Sequence, residues 1–169
     1  MVLSKNFTLN EFTKSVSAIR NGIDNSPTPE HIRSIQLLVE YVLQPLREAL
    51  GSPIRITSGY RSEALNKLIK GSKRSQHCKW QASDLQFKVD GVMDNKIIWD
   101  KVIELGLPFD QMINEFEYSW IHISYNEEHN RKSLLEAYKE NGRTKYKYHT
   151  IEKGIWKYLK QYLEGEQKS

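Results

Sequence analysis

Few side chains in this chain could hold a metal: five histidines (His31, His77, His122, His129, His149), one cysteine (Cys78) and 21 carboxylates. A single cysteine excludes an intramolecular disulfide and any thiolate-rich zinc cluster, so a metal here must rest on imidazole and carboxylate. His77 and Asp84 lie seven positions apart, bridging a loop and the start of an alternating segment at 82–87. His122 falls inside Trp120-Ile121-His122-Ile123-Ser124. Strand alternation puts Trp120, His122 and Ser124 on one face and Ile121 and Ile123 on the other, so His122 points away from the apolar side. On spacing alone two readings stay open: a His–Asp–His metal site, or histidines that are ordinary hydrogen-bonded structural residues.

The elements that must position these groups can be read from period and punctuation. Thr8-Leu9-Asn10-Glu11 is a capping-box pattern, and one helix is expected from there to about Arg20. Thr28 can cap a second helix with Pro29 at its first position; Ile32, Ile35, Leu38, Val39, Val42, Leu46 and Leu50 repeat on one face. Pro45 should kink or shorten that helix, and Gly51 is a natural stop. Residues 54–58 and 82–87 alternate like strands, with a short helical stretch at 62–69 between them. A helix is expected at 94–105, a β-hairpin from 111–116 and 119–125, and another helix at 130–138. No internal repeat appears.

Composition excludes several classes. The chain has 169 residues, 38% hydrophobic and 27% charged, which suits one globular domain and argues against wholesale disorder. No apolar run approaches the ~18 residues of a membrane span. The N-terminus shows no apolar secretory core, so the expected site of synthesis is the cytoplasm. The net charge of +4 belongs entirely to residues 139–169; residues 1–138 are neutral, which argues against nucleic acid as a partner of the body. In that basic stretch, Tyr146-Lys147-Tyr148-His149 and the segment from Trp156 to Leu163 interleave bases with aromatics. They could hold an anionic polymer or pack on the body as an amphipathic helix.

Three ordered motifs resemble a known family. Ser75-Gln76-His77-Cys78-Lys79-Trp80-Gln81-Ala82-Ser83-Asp84 is similar to the Ser-x-His-x-x-Gly-x-Ala-x-Asp motif of the zinc D-alanyl-D-alanine carboxypeptidases, which share their fold with the hedgehog signalling domain. Ser58-Gly59-Tyr60-Arg61-Ser62 with Asn66, and the Trp120–Ser124 segment, resemble two further motifs of that family in the same order. The opening Phe7-Thr8-Leu9-Asn10-Glu11-Phe12 resembles small phage and prophage members.

The resemblance implies a single α+β domain with a small, mainly antiparallel sheet flanked by helices. It implies Zn²⁺ held by His77, Asp84 and His122, three ligands that leave one tetrahedral position for water. It gives Arg61 a catalytic and substrate-binding role, since its donor fork can clamp a carboxylate or an oxyanion. Ser75 and Gln111 are expected near the substrate. Many family members carry the proton-transferring acid three residues before the last histidine, but Ser119 stands there. Hedgehog-like and small phage members carry a Glu near the end of the preceding strand, which points to Glu115 as the catalytic base, with Glu117 as the alternative. Trp80 replaces the motif glycine: either that position needs a positive φ, which strains Trp, or the indole lines or plugs the substrate cleft.

The expected organisation is a peptidase domain over 1–138, with a helical part at 1–52 and a metal-site core at 53–125, followed by a basic aromatic tail at 139–169. The expected function is hydrolysis of amide bonds in peptidoglycan stem peptides, as a D,D-carboxypeptidase or an endopeptidase of endolysin type. Such a monomer would reach the wall through a holin or as a virion component. The alternative is a non-catalytic peptidoglycan-binding or virion structural module that keeps the fold, favoured by the departures at Trp80 and Ser119.

Overall fold

The structure, a computed structural model, describes residues 1–149. The amphipathic segment expected between residues 155 and 163 lies outside them. Helix α1 (Leu9–Thr13) starts with the expected capping box, in which the Thr8 amide and hydroxyl each donate to Glu11 Oε1 at 2.8 Å. The single helix expected up to residue 20 is instead two, α1 and α2 (Val16–Arg20). Competing hydrogen bonds divide it. The Phe12 carbonyl accepts from Tyr60 N at 2.8 Å, and Ser15 Oγ accepts from Ala18 N at 3.2 Å, which restarts the helix with a cap.

Helix α3 (Pro29–Leu38) begins at Thr28 with Pro29 in its first turn, as the sequence indicates. Pro45 neither ends nor shortens the helical run. It has no N–H to give the Tyr41 carbonyl, and the chain absorbs the mismatch in one π turn, Val39–Leu43, before α4 (Gln44–Leu50). Gly51 then closes the helix with φ 68°. Ile35, Leu38, Val39, Val42, Leu43 and Leu46 are fully buried along this unit.

The sheet is built from β1 (Arg55–Ser58), which leads into α5 (Glu63–Leu68), and then β2 (Ala82–Gln86). A small ribbon of β3 (Lys88–Val89) and β4 (Val92–Met93) precedes α6 (Lys96–Glu104). The chain continues as β5 (Gln111–Glu115), β6 (Trp120–Ser124), β7 (Ser133–Glu140) and β8 (Arg143–Tyr148). The six-stranded order is β1-β2-β6-β5-β7-β8, antiparallel throughout except for the parallel β5–β7 pair. This is the α+β architecture the resemblance implied.

Two further expectations need correction. Residues 130–138 do not form a helix: from Ser133 onward they open β7. The Leu-Leu-Glu-Ala-Tyr-Lys run favours a helix locally, but pairing with β5 on one side and β8 on the other overrides that preference. The sheet also extends through Tyr148, so the line drawn at residue 138 falls inside β7, and the basic stretch begins with an edge strand.

One sheet face packs Leu85, Met112, Ile121 and Ile123, all fully buried, into the helical core. Trp80 belongs to this core and not to the cleft. It is 0% exposed, with its ring 5.3 Å from that of Tyr60. Its φ is 53°, and the reason is local. Gln81 N donates to Gln76 O and Trp80 N to His77 O, the two bonds of a Schellman turn with Trp80 at the left-handed position usually held by glycine. The positive-φ alternative for the motif glycine therefore holds, and the indole forms no substrate wall.

Replacing Trp80 by Gly is expected to relax the backbone but empty an indole-sized volume. The transfer and cavity loss of about 3–5 kcal/mol exceeds a relief of about 1–2 kcal/mol. Urea unfolding should show Trp80→Gly destabilised by about 1–4 kcal/mol; a stabilised variant would contradict this placement.

Candidate metal centre

The face opposite the core carries the site. Strand register sets it: Asp84 on β2 pairs with His122 on β6, and His122 pairs in turn with Ile113 on β5. Glu115, two residues along β5 and opposite Trp120, shares that face. His77 reaches the same point from the loop before β2. His77 Nε2, His122 Nδ1 and Asp84 Oδ1 form a triangle with sides of 3.2, 3.0 and 3.2 Å, and all three residues are buried. Among the described residues this is the one group of three or more such side chains close enough to share an ion.

The donor chemistry fits a cation. His77 Nδ1 lies 2.7 Å from the Gly59 carbonyl, which can only accept, so Nδ1 carries the proton and Nε2 turns its lone pair to the triangle. Ligands about 2.0–2.1 Å from a tetrahedral ion lie roughly 3.3 Å apart, close to the sides observed. Burial alone would raise the Asp84 carboxyl, but the facing imidazoles of His77 and His122 outweigh it and hold the group well below the usual carboxylate range.

The Ser58–Ser62 motif supplies the frame. Arg61 Nη2 donates to Asp84 Oδ2 at 2.6 Å while its Nε donates to Ser58 Oγ at 2.8 Å, leaving Oδ1 for the triangle. Arg61 lines the cleft, yet its visible bonds serve Asp84. Gly59 is required by close approach: a Cβ there would strike the Phe12 backbone. Tyr60 N takes the Phe12 carbonyl, and Ser62 Oγ accepts from Leu65 N at the start of α5. Asn66 Nδ2 donates to Ser72 O at 2.9 Å and fixes the loop that forms one wall of the cleft.

The triangle sits in an open cleft of about 500 Å³. Glu115 lines it and is 8% exposed. Burial, with a smaller push from Asp84, raises its carboxyl to about 7 against the pull of His122 and Arg61. Glu117 is exposed in the 116–118 turn, whose three residues all have positive φ, and it does not line the cleft; neither does Ser119, also exposed. Ser75 and Gln111 do line it. Ser75 Oγ accepts from His77 N at 3.3 Å, and Gln111 N donates to Ser124 Oγ at 3.0 Å. Cys78 lies outside the triangle, with burial pushing its thiol up.

Two groups escaped the sequence reading. Asp110, 2% exposed, accepts from Arg131 Nε and Nη2 at 2.7 and 2.6 Å and from Gln76 Nε2 at 2.7 Å, steadying the residue next to His77. No spacing signal links these three positions. Tyr146 lines the cleft from β8; the alternation of 143–148 was the signal available for that strand.

A convergent, buried His–Asp–His set with a high-pKa carboxyl on the same cleft is the layout of a metal-dependent hydrolase. The sequence agrees with the geometry. Residues 5–124, more than half of the chain, match the family model Peptidase M15, and the chain belongs to that family of zinc D-alanyl-D-alanine carboxypeptidases. Its peptidases are metal-dependent. No curated protein matches the chain.

His122→Ala is expected to lose most affinity for Zn²⁺ in a calorimetric titration, while His129→Ala, altered at an exposed position, should bind like the parent. Equal affinities would remove the triangle as the site.

Glu115 adds a pH effect. Its folded pKa of about 7 lies above the ordinary 4.5, so ionisation disfavours the folded state. The stabilising contribution is full below pH 4.5 and is lost as pH rises through 7. Metal-free Glu115→Gln, which cannot ionise, should exceed wild type by up to about 3 kcal/mol at pH 8, with the gap closing toward pH 4.5. A gap that does not change with pH in urea unfolding would contradict the burial-raised carboxyl.

Proposed function

We propose that this protein is a zinc peptidase that hydrolyses an amide bond of peptidoglycan stem peptides, as a D,D-carboxypeptidase or as an endopeptidase. The observation that carries the reading is the placement of Glu115. A carboxyl with a pKa of about 7 shares a cleft with three convergent metal donors and can both accept and release a proton near neutrality. Family membership supplies the peptidase chemistry. Imidazole and carboxylate donors in a near-tetrahedral triangle favour zinc among common divalent ions.

When bound by His77, Asp84 and His122, zinc supplies Lewis acidity, which polarises the scissile carbonyl and makes water nucleophilic near neutral pH. Glu115 takes the proton from the attacking water and returns it to the leaving amine nitrogen. The raised pKa suits both steps, because neither protonation state is strongly favoured at pH 7. Arg61 fixes Asp84 through Oδ2 and brings a positive charge to the cleft, where it opposes the negative charge that develops on the attacked carbonyl. Lys70 and Arg74 also line the cleft and suit a substrate rich in carboxylates, such as a stem peptide.

The rival reading, a non-catalytic module, drew on Trp80 and Ser119. Trp80 lies in the core, Ser119 lies outside the cleft lining, and the Glu115 carboxyl is within it.

The test is incubation of purified peptidoglycan with zinc-loaded protein, followed by mass spectrometry of the released fragments. Loss of a terminal D-Ala identifies a carboxypeptidase; internal scission of the stem or crosslink identifies an endopeptidase. Glu115→Gln should keep its zinc and lose on the order of 10²–10⁴-fold in turnover, whereas Glu117→Gln stays active. A fully zinc-loaded wild type that releases nothing would reject the peptidase reading.

A further inference from the structure

The β7–β8 hairpin lies beyond the residues that match the family model, yet it forms part of the cleft. Register explains how. Glu115 on β5 pairs with Ala137 on β7, and Ala137 pairs with Tyr146 on β8, so the three stand in one row on the cleft face. Two strand spacings, roughly 10 Å, separate Glu115 from Tyr146 at the backbone. The residue between them in that row is Ala137, whose side chain is a single methyl.

Tyr146 lines the cleft at 53% exposure, and its hydroxyl makes no hydrogen bond among the described residues. Burial, then the charges of Glu115 and Asp84, raise the phenol further above its ordinary value, so it stays a neutral donor. The neighbouring lysines are spent elsewhere. Lys147 pairs with Glu136 at 2.9 Å and Lys145 with Glu140 at 3.9 Å.

We propose that Tyr146 is a substrate-contacting residue whose hydroxyl hydrogen-bonds the peptide alongside Glu115 while its ring, over Ala137, closes that end of the cleft. This rests on the peptidase reading for the class of substrate. Glu115 serves the leaving amine, so Tyr146 meets the peptide on the leaving-group side of the scissile bond. The aromatic-basic segment at 146–149 thus divides: Tyr146 faces the cleft and Lys147 faces Glu136.

The test separates binding from turnover. Zinc-loaded Glu115→Gln is titrated calorimetrically with a synthetic stem pentapeptide, alone and combined with Tyr146→Phe, Tyr146→Ala or Lys145→Ala. Tyr146→Phe, which removes only the hydroxyl, should weaken binding about 3–10-fold, in line with one lost hydrogen bond. Tyr146→Ala should weaken it more than 10-fold, and Lys145→Ala, on the other face of β8, should match its parent. Zinc stoichiometry and unfolding midpoint should stay the same in all. Tyr146→Phe binding as tightly as its parent, or a parent that does not bind the peptide, overturns the proposal. Hydrolysis by wild type is scored separately on the same peptide. Turnover that ignores Tyr146→Phe leaves the peptidase reading and removes Tyr146; Tyr146-dependent binding without turnover does the reverse.

Discussion

Three electron-pair donors held within 3.2 Å of one another, in a buried place, are the constraint around which this molecule is arranged. Left to themselves such atoms separate and seek water. Only a cation at the centre, or protons shared between them, satisfies all three at once. The fold therefore grips each ligand from behind. The Gly59 carbonyl fixes the His77 ring, Arg61 takes the second oxygen of Asp84, and the β2–β6 register places Asp84 beside His122. Outer partners of this kind set tautomer and orientation before a metal arrives.

Each grip has a local cost elsewhere in the chain. Gly59 must be glycine because α1 presses on it, and that contact interrupts the first helix at Phe12. The loop that aims His77 ends in a left-handed turn, where Trp80 accepts backbone strain and sends its indole into the core against Tyr60. The helical unit α3–α4, with its π turn just before Pro45, supplies the apolar floor on which the sheet rests. Strain and packing are thus exchanged between the site and the core, not confined to either.

Much of this was legible in the sequence because the site is written in short, ordered motifs. His77, Asp84 and His122 carry their chemistry in their identity, and the strand period around His122 says which way it faces. Glu115 was reachable through the resemblance, which places a Glu near the end of the strand before His122. Less was legible where the decisive partner lies far along the chain. The Asp110–Arg131–Gln76 cluster joins three positions that no period relates. Residues 133–140 have a helical composition, and only pairing on both sides makes them a strand. Tyr146 looked like tail because its strand acquires a cleft face solely through that parallel β5–β7 pair. The replacement of glycine by Trp80 left a left-handed turn and a cleft-lining indole both open, because the choice depended on how the indole packs.

The central claim, that two imidazoles and a carboxylate hold the metal, is tested most directly by X-ray absorption fine structure on the zinc-loaded protein. The expected spectrum shows four light scatterers at about 2.0–2.1 Å, with the outer-shell pattern of two histidine rings and no sulfur. A sulfur shell near 2.3 Å, which would bring in Cys78, or a spectrum with a single imidazole, would contradict the arrangement described.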